Sequence, residues 1–148
     1  MRQHILLGSA LASLGACASV PPATVHNIGA MTPDRISPGM TRRYVMADQS
    51  TMAIYDLRKG ARVPVHQHTS EQLSYVQSGR LRFVVGGQIF DLRAGQLIVI
   101  APNAPHSIEA LETSVEYDFF TPPRSSWEED KDEGSDSDLA GPPGSRRP

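Results

Sequence analysis

Residues 63–83, VPVHQHTSEQLSYVQSGRLRF, decide how the rest of the chain is read. VPVHQH and QLSYVQ read as strands separated by the polar turn TSE. A third run, RLRF, follows Ser78 and Gly79. In a strand, residues i and i+2 point to the same side, so His66 and His68 project together. Gln72 lies beyond the turn on the next strand, where it can return to that side. By parity Gln72, Ser74 and Val76 share one face, while Glu71, Leu73 and Tyr75 take the other. Two imidazoles and an amide oxygen gathered this way begin a coordination shell. Taken alone, an H-x-H pair is also what two surface histidines on a solvated sheet look like.

The same rhythm continues on both sides. TMAIYDL, ARVPVHQH, QLSYVQ, RLRFVV, QIFDL, QLIVI, HSIEAL and TSVEYDFF follow one another, divided by turns such as RKG, SG, GG, RAG and APNAP. A spacing of about nine residues and glycine-containing turns predict an all-β, antiparallel barrel or sandwich of about eight strands. Pro64 has no N–H for a ladder, so its strand is expected at an edge or bulge. His106 stands just after APNAP at the start of another strand. Three imidazoles and one amide drawn from different strands would leave coordination positions open for water or substrate.

The two ends differ from this core. MRQHILLGSALASLGACASV has a short basic start and then an apolar, small-residue run, the pattern of an export signal. Its LGAC (residues 14–17) resembles the bacterial lipobox, which implies a signal over 1–17 and lipidation of Cys17. Cys17 is the sole cysteine, so no intramolecular disulfide competes for it. An ordinary signal cut after Ala18 also fits, because Ala16 and Ala18 form an A-x-A pattern, and so does a cytoplasmic protein with an apolar start. Under the lipobox reading, Ala18 directs the protein to the outer membrane, facing the periplasm, with the lipid as its only membrane contact. Residues 18–35 read as a linker, 36–124 as the working barrel, and 125–148 as an acidic tail too poor in apolar residues to order itself. A net charge of −2 in 148 residues argues against a nucleic-acid partner. A barrel of about ninety residues is small, so a homodimer covering further sheet surface is the expected assembly.

The punctuation around the histidines carries a family resemblance. Gly60, five residues, His66-x-His68, three residues, Gln72, six residues and Gly79 reproduce the first cupin motif, with glutamine where glutamate is commoner. Gly95, five residues, Ala101-x-Asn103, two residues and His106 resemble the second, with Ala101 and Asn103 in place of proline and glycine. Asn tolerates the left-handed backbone that glycine supplies, so that exchange is mild. The resemblance implies a jelly-roll barrel, the double-stranded β-helix of small cupins. It also implies one divalent transition metal, iron, manganese, nickel or zinc. All four donors are neutral, so such an ion would keep its full charge and favour an anionic or enolisable substrate.

A second group lies on the last strand, VEYDFFTPPR. Asp118 and Phe120 share parity, and TPP turns the chain so that Arg124 can come back over the barrel mouth. An inward Asp118 would suit proton transfer and Arg124 would grip a carboxylate. Equally, Asp118 facing solvent, Phe120 in the core and Arg124 at the start of the tail would satisfy the sequence. This ending, together with H-x-H, EQ and PH, resembles the pectin-degradation cupins that open and tautomerise 4,5-unsaturated uronates. That resemblance implies His66, His68, Gln72 and His106 as metal ligands, Asp118 as the catalytic acid or base, and Phe120 and Arg124 as substrate contacts. A metal-dependent isomerase- or lyase-like enzyme acting on a small sugar acid is the leading expectation. A quercetinase-like dioxygenase and a lipid-anchored, non-catalytic binding cupin are the alternatives.

Overall fold

The computed structural model describes residues 23–127. The expected signal, the lipobox with Cys17, and the tail beyond 127 fall outside these residues. Among the described residues, ten strands follow a short 3-10 turn at Ile28–Ala30. They are β1 (Asp34–Ser37), β2 (Met40–Met46), β3 (Thr51–Leu57), β4 (Arg62–His66), β5 (Glu71–Ser78), β6 (Arg80–Val85), β7 (Gln88–Arg93), β8 (Leu97–Ile100), β9 (His106–Ala110) and β10 (Ser114–Thr121). All pairings are antiparallel. A six-stranded sheet runs β1-β2-β3-β10-β5-β8 and a four-stranded sheet runs β4-β9-β6-β7. Consecutive strands keep switching sheets, which is how a jelly roll closes two faces around one interior.

Eight of these strands are those the alternation predicts. The additional pair, β1 and β2, lies where no strand was expected. The reason is at the inward positions of β2, which are Met40, Arg42 and Tyr44. A guanidinium at the central inward position breaks the apolar alternation by which strands are recognised. Asp34 faces Arg42 across the β1–β2 ladder, so the barrel begins at Asp34, two residues before the expected boundary. Its other end also moves, because Trp127 is buried rather than part of the acidic tail.

Pro64 sits in β4, the edge strand of the four-stranded sheet, and the β4–β9 register shifts between Val63 and His66. Edge and bulge therefore coincide at one residue, sparing a ladder the N–H that proline lacks. Beyond the bulge, His66 lies opposite His106 of β9.

The interior has two parts. One end is filled by Met40, Leu57, Val76, Leu81, Phe83, Ile100, Ile108 and their apolar neighbours. At the other end Tyr44, Ala53, Phe120 and Trp127 form a smaller group. Polar side chains occupy the space between. On β10 the inward positions are Ser114, Glu116, Asp118 and Phe120, while Val115, Tyr117 and Phe119 face outward. A strand whose polar face is the buried one reverses the usual rule for a soluble sheet.

Candidate metal centre

Four elements deliver the donors. His66 ends β4, His106 starts β9 beside it, His68 lies in the β4–β5 connection, and Gln72 enters from β5 in the opposite sheet. The His66 and His106 ring centres are 4.2 Å apart, and those of His68 and His106 are 5.1 Å apart. One ring nitrogen from each of the three histidines lies within 4.8 Å of the other two.

The hydrogen bonds determine which nitrogens converge. Nδ1 of His66 lies 3.0 Å from the Pro64 carbonyl, Nδ1 of His68 2.9 Å from that of Ser70, and Nδ1 of His106 2.8 Å from that of Ala104. A carbonyl can only accept, so each Nδ1 carries the proton. Each neutral ring therefore presents an Nε2 lone pair, the arrangement that orients metal-binding imidazoles. Burial lowers the pKa of both His68 and His106 to about 4, so these two rings are neutral at pH 7.

Gln72 completes the set. Its Nε2 donates to Ser74 Oγ at 2.8 Å and to Asp118 Oδ2 at 3.0 Å, which turns Oε1 toward the histidines. Oε1 lies 3.0 Å from Nε2 of His68. With the proton of His68 on Nδ1, two lone pairs face each other across that gap, an arrangement that a shared cation relieves. His106 Nε2 is buried and has no hydrogen-bond partner among the described residues, in a barrel whose buried polar atoms are otherwise mostly satisfied. A convergent, acceptor-only cluster with a buried unused lone pair fits a divalent transition metal. The structure brings together all four ligands expected from the sequence.

Asp118 faces inward at 2 % exposure. Ser74 Oγ donates to its Oδ1 at 2.6 Å, so the small Ser74 serves as a tether for the carboxylate. Burial pushes the Asp118 pKa up to about 6, against the opposing pull of Ser74, Glu116 and Arg124. Glu116, two residues earlier on the same face, is 1 % exposed. Burial first, and then the charge of Asp118, holds its carboxyl well above the usual range. Two buried carboxyls this close share a proton instead of both ionising. Sequence reading missed Glu116; its i−2 relation to Asp118 was the available signal.

Phe120 packs edge-on against His68, with ring centres 5.5 Å apart, and also lines the cavity. Arg124 is 6 % exposed, and its guanidinium carbon lies 5.4 Å from the Phe120 ring centre and 5.0 Å from that of Trp127. Trp127 and Arg42, both unexpected from the sequence, line the same cavity as His66, Gln72, Asp118 and Arg124. Its empty space, including the open mouth, is about 480 Å³. Four arginines to which the sequence assigned no role, Arg58, Arg62, Arg80 and Arg82, do not line this cavity, and Arg62 and Arg82 form outer ion pairs with Glu109 and Asp91.

Residues 53–117 match the family model of the cupin domain. No curated protein sequence gives a significant match. Among solved structures, KdgF from Halomonas sp. superposes with a TM-score of 0.64 at 24 % identity, over 67 % of this chain and 93 % of that one. An RmlC-like cupin from Shewanella frigidimarina gives 0.64 at 26 %, over 67 % and 90 %. A salicylate 1,2-dioxygenase from Pseudaminobacter salicylatoxidans gives 0.57 at 18 %, over 60 % of this chain and 28 % of that one. Strand topology, motif spacing and the match over residues 53–117 agree: the barrel of this chain has the cupin fold.

Proposed function

We propose that this cupin is a metal-dependent enzyme that opens and tautomerises a small unsaturated sugar acid. The observation that carries the reading is the chain of contacts from His68 through Gln72 to Asp118, at 3.0 Å and 3.0 Å, which puts a proton-carrying carboxyl beside an electron-pair-donating cluster in one cavity. A divalent ion held by His66, His68, Gln72 and His106 would supply Lewis acidity to a ring or keto oxygen of the substrate.

The chain's own groups account for the remaining tasks. Tautomerisation moves a proton between carbon and oxygen with no net redox change, so it needs one group that both gives and takes a proton. Asp118, with a pKa near 6, is suited to that exchange around neutrality. Ser74 and the Gln72 amide fix the direction of its two oxygens. Glu116, the shared-proton partner, steadies the charge on Asp118 as that proton leaves or returns. Arg124 at the mouth holds a carboxylate, and Phe120 walls the ring and keeps His68 in place. The sequence resemblance to the pectin-degradation cupins supports the uronate as substrate.

The test has two parts. Elemental analysis of the purified protein should find about one divalent transition metal per chain, and His106→Ala should remove most of it. The metal-loaded protein should then consume a 4,5-unsaturated galacturonate, seen as loss of the ring's ultraviolet absorbance, with no oxygen uptake. Asp118→Asn should keep the metal and lose activity by a factor of roughly 10²–10⁴. Oxygen consumption with an enolisable substrate would replace this reading with a dioxygenase. An Asp118→Asn variant as active as wild type would remove Asp118 from its role.

A further inference from the structure

Arg42 is the one buried cation of the cavity that the sequence resemblance does not account for. β2 holds it at an inward position between Met40 and Tyr44, and it is 6 % exposed. Its guanidinium carbon stacks 3.9 Å from the ring centre of Trp127 and 5.1 Å from that of Tyr44. Its carboxylate neighbour, Asp34, is 3.6 Å from Nη2, beyond hydrogen-bond length, and is itself part-exposed. Nε of Arg42 is buried with no hydrogen-bond partner among the described residues.

A guanidinium brought into a barrel normally has its donors matched by an acceptor fork. Here the matching falls short, and Arg42 lines the same cavity as His66, Gln72 and Asp118. Arg124 arrives from the other end of the barrel sequence and lines the same space, its guanidinium carbon 5.0 Å from the ring that Arg42 stacks upon. Both guanidiniums thus stand against one aromatic ring and line one cavity.

We infer that Arg42 is a second anion-binding residue of this cavity, and that the cavity selects a compact ligand whose carboxylate is held between the guanidiniums of Arg42 and Arg124. The inference rests on the reading that an anionic substrate enters this cavity, and it adds the residue that sets its affinity.

The probe is galacturonate, a saturated and unreactive sugar acid, with galactose as its neutral counterpart and glutarate as a non-sugar carboxylate. Trp127 is the only tryptophan of the chain, so its fluorescence reports directly from the platform. The metal-loaded full chain should show a saturable emission change with galacturonate and none with galactose. Arg42→Gln should weaken that binding about tenfold or more, and Arg42→Lys should recover part of it. If galacturonate binds Arg42→Gln and Arg42→Lys as tightly as wild type, the inference falls, whether or not the uronate is turned over. If the glutarate response depends on Arg42 and galacturonate gives none, the anion site stands and the uronate reading falls. Should Arg42→Gln not fold, the lysine variant and the wild-type contrast between galacturonate and galactose decide. A wild-type protein that responds to neither carboxylate overturns the inference.

Discussion

At the scale of single residues, the site depends on where protons are held. Each imidazole commits Nδ1 to a carbonyl two residues away, leaving Nε2 as a lone pair directed at the same point. Burial lowers the pKa of His68 and His106 to about 4 from an ordinary value of 6.5. The sign follows directly: a lowered pKa means that protons compete with a cation only at correspondingly lower pH. Bound metal should therefore survive dialysis down to about pH 5 and be lost between about pH 5 and 4. Stepwise dialysis with elemental analysis checks this, and loss already near pH 6.5 would show ordinary imidazoles. The metal-free protein should lose stability progressively from about pH 6.5 down to about pH 4, because over that range the unfolded chain takes up protons and the folded chain does not. Asp118 acts in the opposite sense. Its raised pKa means that its contribution is present in acid and is lost as pH rises through about 6.

At the scale of strands and turns, the convergence of the candidate metal donors was legible and the carboxyl pair was not, for one physical reason. Parity on β5 placed Gln72 and Ser74 inward because Val76, buried and apolar, settles which face is inside. On β10 apolar side chains occupy both faces, with Phe120 inside and Phe119 outside, so alternation alone cannot choose for Glu116 and Asp118. The resemblance to known cupins made the choice for Asp118. Nothing in the sequence made it for Glu116. The turns were easier to read, because their backbone leaves few options. Gly79 has φ +80°, and a methyl group there would overlap Ser114 Oγ and the Thr113 carbonyl. Gly79→Ala should cost roughly 2–4 kcal/mol in thermal denaturation. Gly86→Ala, at φ +55° with open space around it, should cost only about 1–2 kcal/mol. Equal losses at the two sites would show that backbone conformation, not the close approach of β10, governs Gly79.

At the scale of the whole molecule, composition misjudged the two ends of the barrel. Arg42 hid β2, and the acidic run after residue 127 made Trp127 look like part of a solvated tail. In the folded chain Trp127 is 3 % exposed and packs against Tyr44 and Phe120, with ring centres 5.3 Å away in both cases. Trp127→Ala should therefore destabilise the protein by about 3–5 kcal/mol, a large share of the roughly 5–15 kcal/mol expected for a domain. A tail residue in solvent would change stability by no more than about 0.5 kcal/mol. Thermal melts of the two proteins separate these outcomes.

The backbone N–H of Asn103 donates to the carbonyl of His68 at 2.7 Å, across two loops that are distant in sequence. Asn103 takes φ +60°, and three residues later the chain delivers His106. This bond latches one ligand-bearing loop to the other before any cation arrives. The donor directions are thus preorganised, and an incoming ion has no loop to fold. Uptake should follow a single phase whose rate rises in proportion to metal concentration in stopped flow. A plateau would reveal a slow rearrangement that the latch should have made unnecessary.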